Sequence, residues 1–208
     1  MNIAQIADIA KTRHSCKAFD PSRQLSSAQL QQLQDLLYWA PSSINSQPWH
    51  FFLASSTAGK EKIAQGMAGE HYAYNAQKVR DAALVVVFCA KTDLSAADID
   101  AVLAQEAADG RFASAEAQAK RQAACHFFTD GHRAKGDLPE WLAHQSYLAL
   151  GQLLLGAAAM GLDACPIEGF DPALMDEVFG LPAQGLRSVV AAEVGSRRAT
   201  GPSLRPWR

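Results

Sequence analysis

The chain has 208 residues, 49% apolar and 19% charged, with a formal net charge of −2. That length fits one domain able to bury a core without disulfides. The near-neutral balance argues against a partner held by charge, whether nucleic acid or an anionic membrane. An ordinary soluble domain carries about 25% charged residues. Alanine fills the gap here, and the implied surface is more apolar than a monomer usually shows.

Ile3, Ile6, Ala7 and Ala10 recur at helical spacing and predict a helix over 3–12. Asp8 and Lys11 within it, and the lack of a basic start and an apolar centre, set it apart from a signal peptide. Ser26 with Gln29 forms a capping-box pair ahead of Leu30, Leu33 and Leu37, one face of a helix that Pro41 ends. A polar loop over 41–48 feeds a strand at Trp49–Ala54, and a short helix is expected over 59–69. Tyr72, Tyr74, Asn75 and Lys78 are read as lying around a turn. Residues 83–90 are valine-rich and bounded by Asp81 and Lys91, as suits a central strand buried on both faces. Alanine-rich helices follow over 95–109 and 114–129.

Asp137 with Glu140 gives a second capping-box pattern, with Pro139 in the first turn. It precedes a helix over 141–160 whose second half is apolar nearly all round, so every face should be buried. Gly151 and Gly156 inside it each cost about 1 kcal/mol relative to alanine, which points to the close approach of another helix; Gly161 closes it. Strands over 164–167 and 188–194 complete one α+β domain in which helices outnumber strands. The apolar runs at 82–90 and 148–162 fall short of the roughly 20 residues of a bilayer span. Cys16, Cys89, Cys125 and Cys165 stand alone, which argues against a disulfide scaffold or a structural zinc site and for the reducing cytoplasm. Cys89 and Cys165 read as small core residues. No carboxylate or thiolate stands at ligand spacing from His126 and His132 to complete a metal set.

Several common catalytic signatures are missing from the sequence: no G-x-G-x-x-G after a strand, no Walker loop and no G-x-S-x-G elbow. Four polar clusters remain. Arg13-His14-Ser15-Cys16-Lys17 suits an anion such as phosphate, or else its cations merely neutralise a helix C-terminus. The loop over 42–47 offers hydroxyls and carboxamides without charge, fit for a ligand's hydroxyls or ring edge, or is an ordinary polar turn. Asn75 with Lys78 can meet a donor–acceptor ring edge and negative charge, or is a solvated turn. Pro166-Ile167-Glu168-Gly169-Phe170 ends a strand with a glycine that lets backbone N–H groups approach a ligand, or is a tight turn with an exposed Glu.

Taken in order, these segments resemble a family. They are Arg-His-Ser-Cys-Lys-Ala-Phe-Asp at 13–20, Pro-Ser-Ser-Ile-Asn-Ser-Gln-Pro-Trp-His-Phe at 41–51, Val-Val-Val-Phe-Cys-Ala-Lys at 85–91, Ala-Asp-Gly-Arg-Phe-Ala at 108–113 and Gly-Leu-Asp-Ala-Cys-Pro-Ile-Glu-Gly-Phe-Asp at 161–171. The chain resembles the FMN-dependent nitroreductases, and within them the oxygen-insensitive NAD(P)H nitroreductase/dihydropteridine reductase group, over residues 1–195. The resemblance implies a nitroreductase-like α+β fold, a central mixed and mostly antiparallel sheet flanked by helices, in an intertwined homodimer with two FMN sites at the seam.

By the same resemblance, Arg13 and Ser15, with His14 beside them, hold the flavin phosphate, and Lys17, Asn75 and Lys78 meet the N1/O2 edge. The backbone at Glu168 and Gly169 meets the O4/N5 side, and Pro166 and Ile167 belong to the same cofactor-binding stretch. Ser42, Ser43, Asn45 and Gln145 come from the partner subunit. Tyr74 and Phe128 line the pocket over the flavin, Ile44 faces it, and Arg111 contacts the pyridine nucleotide. The implied reaction passes two electrons from NAD(P)H through FMN to a nitroaromatic or quinone by a ping-pong route that needs no protein nucleophile. Dihydropteridine or flavin reduction, or flavin binding with little turnover, are the alternatives. The tail over 196–208 departs from the family, whose Lys-x-Arg phosphate clamp it lacks; Arg205 is the nearest substitute.

Overall fold

A computed structural model of the chain describes residues 3–199, with side chains from Ile6 onward. The expectation for Arg205 lies outside the described residues. Four strands, β1 (Trp49–Ala54), β2 (Leu84–Lys91), β3 (Asp163–Ile167) and β4 (Leu186–Gly195), form a sheet in the order β1-β2-β4-β3. Every neighbouring pair is antiparallel. The mixed character shrinks to a single parallel bridge between Ser15 and Ala164.

β2 lies between β1 and β4 and is buried from Leu84 to Ala90. Side chains alternate across a strand, and here both faces are covered. Val85, Val87 and Cys89 join a core with Phe19, Ile63, Val79 and Met175. Val86 and Phe88 join another with Leu33, Leu37, Leu153 and Val190. That double burial is why the strand reads as an unbroken apolar run.

The first face is covered by α3 (Thr57–Gln65), α4 (Ala73–Asp81) and α8 (Pro172–Phe179), the second by α2 (Ser27–Tyr38) and α7 (Leu138–Ala159). α1 (Ile3–Thr12) precedes them. A third core, with Ile99, Leu103, Cys125 and Leu142, lies where α5 (Ala96–Ala108), α6 (Ala115–Lys135) and the start of α7 meet. The Ser26–Gln29 capping box is formed in both directions at the start of α2.

Other local expectations need correction. Residues 73–81 form α4 rather than a turn, because Ala76 and Val79 bury a narrow face that its polar neighbours hide in the sequence. Asp137 precedes α7, but its side chain makes no cap; it hydrogen-bonds the His132 ring at 2.8 Å instead, and Glu140 pairs with Arg187. α6 runs on to Lys135, where Gly136 in the left-handed region ends it. α8 was not foreseen, although Asp171 caps it through its side chain and Pro172 opens it.

Gly156 explains itself: an added Cβ would stand 2.2 Å from Cδ1 of Leu36, so α2 approaches as closely as glycine allows. Gly151 has nothing within 4 Å. It lies in a stripe with Tyr147, Leu148 and Leu155, all exposed. Within one chain, therefore, α7 is buried on one side only.

Candidate active site

Three of the four polar clusters converge. After α1 the chain turns beside β3, where Ser15 bridges Ala164 and the Cys16 amide donates to the Ala164 carbonyl at 3.1 Å. This brings the Lys17 ammonium to 3.5 Å from Sγ of Cys165. From α4, the buried Asn75 donates through Nδ2 to the Gly169 carbonyl at 2.7 Å. A Cβ on Gly169 would stand 2.5 Å from that nitrogen, so the residue must be glycine for the strand end and the helix to meet. Lys78 follows Asn75 by one turn and lies over the Tyr74 ring, 5.4 Å from its centroid.

Neighbouring residues fix this geometry. The buried Lys60 ammonium donates to the carbonyls of Arg80 and Ala82, each at 2.8 Å, and so ties down the end of α4. Burial pulls its pKa below the usual lysine value. Tyr147 of α7 donates to the Glu168 carboxylate at 2.6 Å. Burial, then that hydrogen bond, pushes the phenol up to about 12, so it stays a neutral donor.

The electrostatics of the cluster are one-sided. Several other arginines are matched, as in Arg197–Asp163 and Arg198–Asp81 at 2.9 Å. Among the described residues, none of Arg13, Lys17 and Lys78 forms an ion pair with a carboxylate within 4.0 Å. Nη1 of Arg13 is buried and has no hydrogen-bond partner among the described residues. An unpaired buried donor costs about 1–3 kcal/mol, and more when charged. Such a group is at its lowest energy with an anion against it.

The remaining cluster, the loop over 42–47, stands apart, and no hydrogen bond or ion pair joins it to the other three among the described residues. Ser43–Asn45 make a 3₁₀ turn, and Ile44, Asn45 and Gln47 have φ of 50°, 53° and 41°. The left-handed region is unfavourable for any of these and most so for a β-branched residue. The strain is held by side chains. Gln145 accepts from the Ser43 amide at 2.8 Å and donates to the Trp141 carbonyl at 2.8 Å. Ser42 Oγ accepts from the Gln47 amide at 3.0 Å. Asn45 donates to the buried Glu106 at 3.0 Å and accepts from Gln47 at 2.9 Å. Arg121 donates to the Ile44 carbonyl at 2.7 Å and to both oxygens of Glu106.

Burial alone would raise the Glu106 carboxyl, but hydrogen bonds from Arg121 and Asn45 and the charges of Arg121 and Arg111 outweigh it and hold the carboxyl below its ordinary value. Asn45 and Gln145 thus spend their amides on the loop. Ile44 is half-buried, with part of its side chain against the third core. Arg111, 3.6 Å from Glu106, lines a cleft of about 530 Å³ together with Trp39 and Gln47. Phe128 is exposed on α6 in an edge-to-face pair with Phe127 at 5.5 Å.

Lys60, Glu106, Arg121 and Tyr147, and Glu193 buried in β4 beside Cys165, are the residues that sequence reasoning missed. Only one carried a signal: Glu193, a lone acid in an apolar strand.

The nitroreductase family profile matches residues 10–196. The chain belongs to the nitroreductase family. Among nitroreductases it is 49% identical over 191 residues to the oxygen-insensitive NAD(P)H nitroreductase of Salmonella typhimurium, covering 91% of this chain and 88% of that one. It is 32% identical to the major NAD(P)H-flavin oxidoreductase of Aliivibrio fischeri, covering 89% and 84%. A nitroreductase-like protein from Streptococcus mutans superposes with a TM-score of 0.79 at 20% identity, covering 98% of this chain and 95% of its own. A protein from Exiguobacterium sibiricum solved in complex with FMN superposes at 0.78 with 24% identity, covering 99% and 93%. At these identities the superpositions establish the fold.

Proposed function

We propose that this nitroreductase binds FMN and passes two electrons from NAD(P)H to small nitroaromatic or quinone acceptors. The observation that carries the reading is the orphaned Nη1 of Arg13, which like Lys17 and Lys78 forms no ion pair with a carboxylate within 4.0 Å among the described residues. In this reading Arg13 and Ser15, with His14, hold the phosphate. Lys17 and Lys78 face the N1/O2 edge, with Asn75 between that edge and Gly169. The backbone over 166–169 meets the other edge of the ring. FMN, when bound, supplies the two-electron chemistry itself. The chain's part is to orient it, to place positive charge where negative charge develops, and to leave room over the ring beside Tyr74 and Phe128.

We further propose that a second copy completes the site through its 42–47 loop. The strained, well-anchored loop and the exposed apolar stripe of Tyr147, Leu148 and Leu155 support this. Ser42, Asn45 and Gln145 then act as props that aim the backbone of the loop, and Arg111 lies beside it to meet the pyridine nucleotide. Four free, buried cysteines suit a reducing cytoplasm, and no helix of the described residues is long and apolar enough to cross a membrane.

The test is a visible spectrum of the purified protein followed by steady-state NADH and NADPH oxidation with a nitroaromatic. A yellow protein with parallel double-reciprocal lines is expected. Intersecting lines would rule out the ping-pong scheme, and a colourless protein that FMN does not reconstitute would rule out the flavin site. Free flavin as acceptor is the second reading, favoured by the name of the Aliivibrio relative, and the same assay with added riboflavin decides it.

A further inference from the structure

Glu193 is fully buried near the C-terminal end of β4, paired across the sheet with Val85 on one side and Cys165 on the other. Side-chain alternation puts it on the face with Ala191, over the core that holds Val85, Cys165, Ala76 and Val79. Both of its carboxylate oxygens are buried without a hydrogen-bond partner among the described residues. An ionised carboxylate in such a place is costly unless charge lies nearby. The charged and titratable groups that bear on it are Lys78 and Asp81 from α4, Lys17 from the segment after α1, and Cys165 from β3. The Lys17 ammonium rests on Sγ of Cys165, the residue directly opposite Glu193. No structural hydrogen bond uses this acid, and the two cations around it are the ones given above to the flavin edge.

We propose that Glu193 is a positioning residue which, by gaining or losing a proton, sets how much positive charge Lys17 and Lys78 present to the N1/O2 edge of the bound flavin. This rests on the assignment of those two lysines to that edge. Burial pushes the Glu193 carboxyl up to about 8, with the charges of Lys78 and Lys17 pulling the other way and Asp81 adding to the rise. Near neutrality the acid is protonated and both lysines act at full charge. Above about 8 it ionises and partly cancels them. Linkage is reciprocal: negative charge arriving at the edge raises the pKa of Glu193 further. Reduction of the flavin by NAD(P)H brings such charge, its two electrons coming from the nicotinamide. Between about pH 8 and that raised value, up to one additional proton then moves from solvent onto Glu193.

The experiment is a potentiometric titration of the FMN-loaded protein at several pH values on either side of 8, for the wild type, Glu193→Gln and Glu193→Met, with FMN affinity measured for Lys17→Gln. One extra proton per two electrons changes the reduction equilibrium tenfold per pH unit, or about 30 mV. The wild type should show up to that extra slope in the window above pH 8 and both Glu193 variants should lack it, while Lys17→Gln binds FMN at least about tenfold more weakly, as loss of one charge-assisted contact implies. Equal slopes in all three proteins, with Lys17→Gln still weakened, overturn the role of Glu193 alone. Unchanged FMN affinity in Lys17→Gln overturns the lysine assignment and this inference with it. The apoprotein gives a further readout. Native Glu193 keeps its proton between its ordinary value of 4.5 and about 8 while the unfolded chain loses it, so wild-type stability falls across that window and levels above it. Relative to Glu193→Met, the wild-type unfolding constant should rise about tenfold per pH unit there; parallel stability curves contradict the proposal.

Discussion

The Asn75 amide donates to the carbonyl of Gly169 at 2.7 Å, and the space a side chain on Gly169 would need is the space that amide occupies. One contact thus joins α4, which carries Lys78, to the end of β3, which presents the Glu168 and Gly169 backbone. Gly169→Ala must move Asn75 or the strand end. Overpacking and one lost hydrogen bond together amount to about 1–3 kcal/mol. Because α4 and the end of β3 also carry core residues, the loss should appear both as an unfolding midpoint lowered by several degrees and as weaker FMN affinity, read by flavin fluorescence quenching.

Glu106 is the hub of the strained loop. Glu106→Gln leaves Arg121 and Arg111 without their counter-charge beside a side chain only 6% exposed. Breaking a buried pair from one side costs about 3–5 kcal/mol; with Arg121 partly solvated, about 3 kcal/mol is expected from urea unfolding. The pH dependence has a definite sign. The folded pKa lies below the ordinary 4.5, so the stabilisation is complete above 4.5 and lost as pH falls through the folded value. Glu106→Gln should flatten that acid limb. This is opposite in sign to the effect of Glu193.

The two glycines of α7 should behave differently. Gly156→Ala collides with Leu36 and should destabilise the chain by about 1–3 kcal/mol, less the roughly 1 kcal/mol that alanine returns in helix propensity. Gly151→Ala has nothing within 4 Å of the added Cβ among the described residues and should stabilise an isolated protomer by about 1 kcal/mol. If the stripe around it packs on a second copy, Leu148→Arg should yield monomers by light scattering at micromolar concentration and weaken FMN binding in parallel. A dimer unaffected by Leu148→Arg would place the seam elsewhere.

Much of this architecture was legible in the residues, for reasons that can be named. The capping box at Ser26 and the valine run at 85–87 declare themselves through local chemistry and through burial on both faces. α4 did not, because only Ala76 and Val79 mark its buried side, and its stability comes from α3 and from Lys60 gripping its last carbonyls. Asp137 and Glu140 have the spacing of a capping box but are drawn off by His132 and Arg187, partners remote enough that spacing cannot register them. In the site, residue types and order indicated the cation cluster. They did not indicate that Asn45 and Gln145 turn inward to hold their own loop, since an amide suited to a ligand is equally suited to a strained backbone. The composition behaved likewise: its apolar excess is real, and it resolves into the exposed stripe of Tyr147, Leu148 and Leu155 rather than into an all-round buried helix.

The central claim is that the unpaired guanidinium of Arg13 awaits the phosphate of a flavin nucleotide. The most direct measurement is the affinity of the apoprotein for FMN against riboflavin, which share the ring and differ in the phosphate, in the wild type and in Arg13→Gln. A charge-assisted contact of about 1.5–3 kcal/mol predicts FMN binding roughly 10–100-fold tighter than riboflavin in the wild type, with most of that preference gone in Arg13→Gln. Equal affinity for the two flavins, or a preference that survives in Arg13→Gln, would contradict it.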